Sequence, residues 1–118
     1  MGDGNSIADV LIAGLQTSRL QGQAIASNIA NLNTPGYRRV EANFEELLSQ
    51  AVKAAQKGKP MPKGTLHQPM NTDVKPNGND VDLDVEVGEM IKNSGTYKTY
   101  MRLLAKQYRQ MEIAMQDK

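Results

Sequence analysis

The chain has no cysteine, one histidine and very few aromatic side chains, and each shortage removes a class of protein. Without a thiol there is no disulfide and no thiolate metal site, and a lone imidazole, His67, cannot build a zinc cluster. Aromatics at 4% and apolar residues at 39% do not support an ordinary aromatic-rich core. A formal net charge of +1 argues against nucleic acid or an anionic membrane as the main partner. No segment approaches the roughly 18 consecutive apolar residues of a membrane span. The opening MGDGNS has neither a basic n-region nor an apolar h-region, so no cleaved Sec-type signal is expected.

Catalytic patterns are also missing. GxxxxGK[ST], GxGxxG and GxSxG do not occur, and His67 lies in TLHQP, an irregular stretch where a solvated imidazole is expected. Asp80, Asp82, Asp84 and Glu86 cluster, but lack the glycine and bidentate glutamate spacing of an EF-hand loop. A helix start explains them more simply, with Asp84 as N-cap and Glu86 and Glu89 in the early turns. No enzyme, metal, cofactor or small-molecule substrate is expected.

What is present is helical. Ile7, Val10, Leu11, Leu15, Ile25, Ile29 and Leu32 share one helical face. Gly14, Ser18, Gly22, Ala26 and Ala30 form an i, i+4 ridge of small side chains along which another helix can approach closely. Each helical glycine costs about 1 kcal/mol against alanine, so the ridge needs a packing reason. Between Ser6 and Leu32 the charged residues are Asp9 and Arg19, too few for a solvated helix. Two readings follow: a helix partly buried in a monomer, or one covered by other copies after assembly.

NFEELLSQAVKAAQKG reads as a second helix, with an Asn43/Glu46 capping box, a stripe through Phe44, Leu47, Leu48, Ala51, Val52 and Ala55, and Gly58 closing it. Residues 57–80 are rich in Pro, Gly, Lys and Asn and read as irregular, with a tight turn at Asn77-Gly78. In the last third, Met90, Ser94, Tyr97, Met101, Leu104, Tyr108, Met111 and Met115 alternate steps of four and three, a heptad seam. VDLDVEV before it also fits a short strand. The expected fold is all-α: one domain over 1–118, with helices at 7–32 and 84–116 packing as a coiled-coil-like pair. A turn, a short helix and an irregular extended segment fill 33–80 between them.

Where the first helix ends stands SNIANLNTPGYRR. Thr34 before Pro35 leaves the helical region, Pro35 sets the first corner of a type II turn and Gly36 the second. Asn31 and Asn33 can satisfy carbonyls at the helix end. A helix stop alone does not explain so many amides or Tyr37.

This stretch resembles the N-terminal signature of the bacterial flagellar axial proteins, the rod, hook and hook-associated components. NGNDVDLDVEVGEMIKNSGTYKTYMRLLAKQY is similar to the C-terminal region of their short rod members. The resemblance implies a structural subunit of the proximal rod of the basal body, exported unfolded by the flagellar type III system and polymerised through its terminal helices. The signature would be carried by Asn28, Asn31, Asn33, Thr34, Pro35, Gly36 and Tyr37. The implied partners are other rod proteins, further copies of the chain, the membrane-ring/rod junction and the export gate, and the implied location is the periplasmic rod. Phe44 and Leu48 fit the Phe-x-x-x-apolar pattern that early export substrates present to that gate. The alternatives are another proximal rod protein and, in a different class, a soluble helical adaptor pairing through its C-terminal heptads.

Overall fold

The computed structural model describes residues 3–60 and 64–116. Five elements follow in order: α1 (Asp3–Ala30), β1 (Glu41–Ala42), α2 (Phe44–Gln56), β2 (Leu66–His67) and α3 (Leu83–Gln116). The fold is all-α, its long terminal helices packed against each other and α2 lying on α1. The molecule is a rod of 67 × 26 × 16 Å, its length set by α3, about 51 Å at 1.5 Å per residue.

The two long helices run antiparallel, because partners on α3 fall in number as those on α1 rise. Gly14 lies against the Tyr100 ring, Ser18 meets Asn93, and Asn28 meets Glu86. The close approach comes from the small-residue ridge. A Cβ on Gly14 would collide with the ring of Tyr100, and one on Gly22 would stand 3.4 Å from the Asn93 amide nitrogen. Ser18 is fully buried; its hydroxyl donates to Asn93 Oδ1 at 2.9 Å, and Asn93 Nδ2 donates back to the Ser18 carbonyl at 3.0 Å. Ala26 and Ala30, the last two members of the ridge, are exposed. The ridge therefore serves the chain's own α3 over its first three positions and leaves the other two free.

On α3, Glu86, Asn93 and Tyr100 meet α1 directly, and Glu89 and Thr96, half-buried, lie between them on the same side of the helix. The heptad seam is a neighbouring face: Met90, Ser94, Tyr97, Met101, Tyr108 and Met115 are exposed, and Leu104 and Met111 sit half-buried at the border. Polar residues at 86, 89, 93 and 96 hide the true contact face from an apolar count. The beginning of α3 also differs from expectation. VDLDVEV forms no strand and is helical from Leu83 onward. Asp82, in place of the expected Asp84, caps the helix, accepting from Asp84 N–H at 3.0 Å, while Glu86 N–H donates to the Asp82 carbonyl at 3.0 Å.

α2 is bounded by local chemistry at both ends. Glu46 N–H donates to Asn43 Oδ1 at 3.4 Å, and Asn43 Nδ2 donates to Glu46 Oε2 at 2.7 Å, a reciprocal cap. Gly58, at φ 66°, ends it with Gly58 N–H on Ala55 O and Lys59 N–H on Ala54 O, a Schellman closure. Within the otherwise irregular middle, β2 pairs antiparallel with β1, Glu41 opposite His67 and Ala42 opposite Leu66.

Among the described residues the buried apolar set is Ala8, Ala13, Ala24, Ile25, Ala42, Leu47, Ala51 and Val81. Five of these eight are alanine, whose methyl group adds about 0.8 kcal/mol at most. Polar contacts must therefore fix much of how the helices sit.

Candidate functional site: a polar knot between the chain ends

The signature turn does more than stop α1. The chain tightens after Ala30 into a short turn through Asn33, then Tyr37 N–H closes a second turn on the Thr34 carbonyl at 3.2 Å. Pro35 and Gly36 are its corners, and Gly36 has φ 76°, the left-handed value a type II turn requires. The reversed chain runs back along α1, and Asn28 holds it there. Asn28 Oδ1 accepts from Val40 N–H at 2.8 Å, while its Nδ2 donates to the Val40 carbonyl at 2.8 Å. The side-chain amide thus pairs with one residue's backbone as a neighbouring strand would. Tyr37 OH donates to the same Oδ1 at 3.0 Å and lies 2.9 Å from Ser27 Oγ. Further along, Gln21 Oε1 accepts from Ala42 N–H at 2.9 Å.

The C-terminal half closes the knot from the other side. Asn79 is fully buried; its Nδ2 donates to the carbonyls of Asn31 and Thr34, each at 2.8 Å, and its Oδ1 accepts from Val81 N–H at 2.7 Å. Lys75 to Gly78 form a turn, with Gly78 N–H on Lys75 O at 2.9 Å, and Gly36 N–H donates to Asn77 O at 2.9 Å. The two turns meet at glycines: a Cβ on Gly78, itself at φ 84°, would stand 3.3 Å from Gly36 Cα.

Charge is buried beside these amides. Asp80, 1% exposed, accepts from Arg39 N–H at 2.6 Å and Thr72 Oγ1 at 2.9 Å, with Arg38 Nε 3.0 Å away. Burial alone would raise its carboxyl, but the Arg39 N–H, the Arg38 guanidinium and the Thr72 hydroxyl together hold it below the ordinary value. Glu86 is fully buried and takes Asn28 Nδ2 at 2.5 Å and Arg39 Nη2 at 3.3 Å on the same oxygen, Oε1. The Arg39 guanidinium also reaches Glu41 at 3.1 Å; burial would lower its pKa, yet these two carboxylates hold it above the ordinary value. Glu86 Oε2 and Arg39 Nε are buried without a hydrogen-bond partner, so the ion pair is incompletely satisfied.

Of the signature residues, Asn28, Asn31, Thr34, Gly36 and Tyr37 join this network. Asn31 Nδ2 donates to Ser27 O at 2.8 Å, and Asn31 Oδ1 accepts from Thr34 Oγ1 at 3.1 Å. Pro35 supplies the corner and is exposed. Asn33 is exposed and caps no carbonyl; the helix end is instead satisfied by Asn79 on Asn31 O and by Lys75 Nζ on Leu32 O at 3.4 Å. Phe44 and Leu48 lie half-buried on α2, beside the buried Leu47. His67 stands half-exposed, 3.6 Å from Glu41, outside the knot. No group of three or more His, Asp or Glu among the described residues is placed to hold a metal.

Residue-type reasoning alone overlooked Asn79, Asp80, Glu86, Arg38, Arg39, Gln21 and Asn93. Local turns and caps use only part of the polar capacity of NGNDVD, and the remainder, like Glu86 and Asn93 on α3, is met across the fold.

Similarity to known proteins follows this geometry. The model of the family described as flagella basal body rod protein matches residues 9–38, α1 and its turn. The flagellar basal body rod protein FlgB of Borrelia hermsii is 27% identical across 86% of this chain and 89% of its own length. The alignment therefore includes both sides of the knot. The chain is thus similar to flagellar basal-body rod proteins, through the family model at α1 and its turn and through FlgB over most of its length. The chain also resembles the basal-body rod protein FlgG of Caulobacter vibrioides, 29% identical over 73% of the chain but 27% of that protein. The flagellar hook protein FlgE of Treponema pallidum is 39% identical over 37% of the chain and 10% of that protein. The chain thus spans a minor part of the hook and FlgG relatives and most of the FlgB relative.

Proposed function

We propose that this chain is a structural subunit of the proximal rod of the flagellar basal body, exported by the flagellar type III system and polymerised through α1 and α3. The observation that carries the reading is the free stripe on α3. Met90, Tyr97, Met101, Tyr108 and Met115 are exposed at heptad spacing on a chain whose own core is mostly alanine. A stripe of that length calls for a helical neighbour. Similarity to FlgB along both chain ends supports the proximal rod over the hook.

The knot then acts as a clasp. It bonds the end of α1 to the start of α3, so that a subunit presents its two long helices in one fixed register. Export precedes folding, and the Phe44–Leu48 pair meets the export gate while the chain is extended. In the periplasmic rod the partners are other rod proteins, further copies and the membrane-ring junction.

Deletion of the gene tests this directly: cells should lack flagella, and the restored protein should co-purify with detergent-extracted basal bodies. Met101→Glu should keep the helical content and melting of the purified chain but drop out of basal bodies. Normal swimming in the deletion strain, with a soluble helix-paired dimer of the protein, would replace the rod by an adaptor.

A further inference from the structure

α3 is electrically divided. From Met90 to Met111 its charged residues are Lys92, Lys98, Arg102, Lys106 and Arg109, with no acid among them. All five are exposed, and none of their side chains makes an ion pair or hydrogen bond to a described residue. Lys98, Arg102 and Lys106 are spaced i, i+4, where like charges repel. The helix dipole does not account for them, since its influence is confined to the last turn and that turn carries no base.

The opposite end of the molecule is acidic. Asp73 and Asp82 line an open groove of about 700 Å³ with Leu32, Val81, Leu83 and Val85, and Asp84 lies next to it in sequence, between Leu83 and Val85. All three acids are exposed and none is ion-paired with a described residue. Leu83 and Val85 are 43% and 44% exposed, so the groove offers apolar surface beside its acids. Lys75, a base at the rim, is turned to the Leu32 carbonyl. On the basic half, Met101, Leu103 and Tyr108 are likewise exposed between the cations.

We infer that these two ends recognise each other in successive copies: the basic, apolar half of one α3 docks on the acidic groove at the start of the next copy's α3. This rests on the rod reading and adds the partner and the polarity of the contact. The two charge centres are about 20 residues apart, roughly 30 Å along the helix, so they cannot meet within one molecule. The contact is heterologous and leaves one free end of each kind, as a polar, growing assembly needs. An anionic membrane would also attract the bases, but it would leave the matching acids and the apolar groove without a role.

Sedimentation of the purified full chain against ionic strength tests the inference. Self-association should weaken at least tenfold between low salt and high salt. Arg102→Glu with Lys106→Glu should abolish it, as should Asp73→Lys with Asp84→Lys. A chain carrying all four changes should associate again, because complementarity is restored with its sign exchanged. Association indifferent to charge reversal, or no rescue in the fourfold variant, overturns the inference. So does binding of the wild type to phosphatidylserine vesicles without self-association. In cells, wild type present in basal bodies together with both pairwise variants at the same level would refute this contact and leave the rod reading intact. Absence of wild type from basal bodies would refute the rod reading instead.

Discussion

Asn28 and Glu86, 58 residues apart in sequence, are joined by a 2.5 Å hydrogen bond with both side chains fully buried. The bond links the last full turn of α1 to the first of α3. Asn28 also bonds Val40 and Tyr37, and the same oxygen of Glu86 also takes Arg39. One amide therefore holds the reversed chain, the aromatic of the turn and the other terminal helix together.

Asn28→Ala should accordingly destabilise the chain by about 2–4 kcal/mol, since it strips several buried bonds and leaves polar partners unmet. Asn28→Asp should be worse, because it sets a second carboxylate against Glu86. Urea unfolding followed by far-UV circular dichroism measures both. A loss under about 1 kcal/mol for Asn28→Ala would show that the knot is not what fixes the helices.

At the turn, Gly36→Val should strain the backbone by about 1–3 kcal/mol, because φ 76° is hostile to a branched side chain even though no atom crowds the site. Gly78→Ala combines an unfavourable φ with a contact on Gly36. Both variants should be secreted normally and incorporated poorly into basal bodies. Pro35→Ala should be milder, loosening the corner without forbidding it. The amounts in isolated basal bodies, set against those in the medium, decide the matter; a Gly36→Val chain that is never exported would make this stretch a secretion signal.

Along the small-residue ridge the expected effects divide by position. Gly14→Leu should destabilise the isolated chain by about 1–3 kcal/mol, because the Tyr100 ring already occupies the space. Gly22→Leu should displace Asn93 from Ser18 and weaken the monomer as well. Ala26→Leu, on the exposed continuation, should leave melting unchanged and reduce incorporation. Equal melting temperatures for the Gly14 and Ala26 variants would contradict the helix contact described above.

Acid should loosen the knot through Asp80. Its carboxyl is held below the ordinary 3.8 in the folded chain, so it contributes stability above that pH and loses it as the pH falls through the folded value. Asp80→Asn should be less stable at neutral pH and show a smaller further loss between about pH 5 and pH 2. Parallel acid profiles for the two proteins would mean that Asp80 gains nothing from Arg39, Arg38 and Thr72.

The sequence by itself determined everything that depends on near neighbours. Period specifies the long helices, Asn43 with Glu46 opens α2, and Pro35-Gly36 makes its turn because these preferences are local. The turn expected at Asn77-Gly78 falls one residue earlier, with Pro76 and Asn77 at its centre. Tertiary structure alone decided which face of α3 meets α1. Helical spacing shows that Met90, Tyr97 and Met101 share a face, but not whether that face has a partner within the chain. The face that does pack hides its role behind Glu86, Asn93 and Thr96, whose partners lie across the fold. The same holds for Asp80, which reads as part of an acidic helix start until the returning chain supplies Arg38 and Arg39, and for Asn79, which takes its role from the carbonyls of Asn31 and Thr34. A buried polar side chain is defined by the donor or acceptor it finds, and here that partner lies some 40 to 60 residues away.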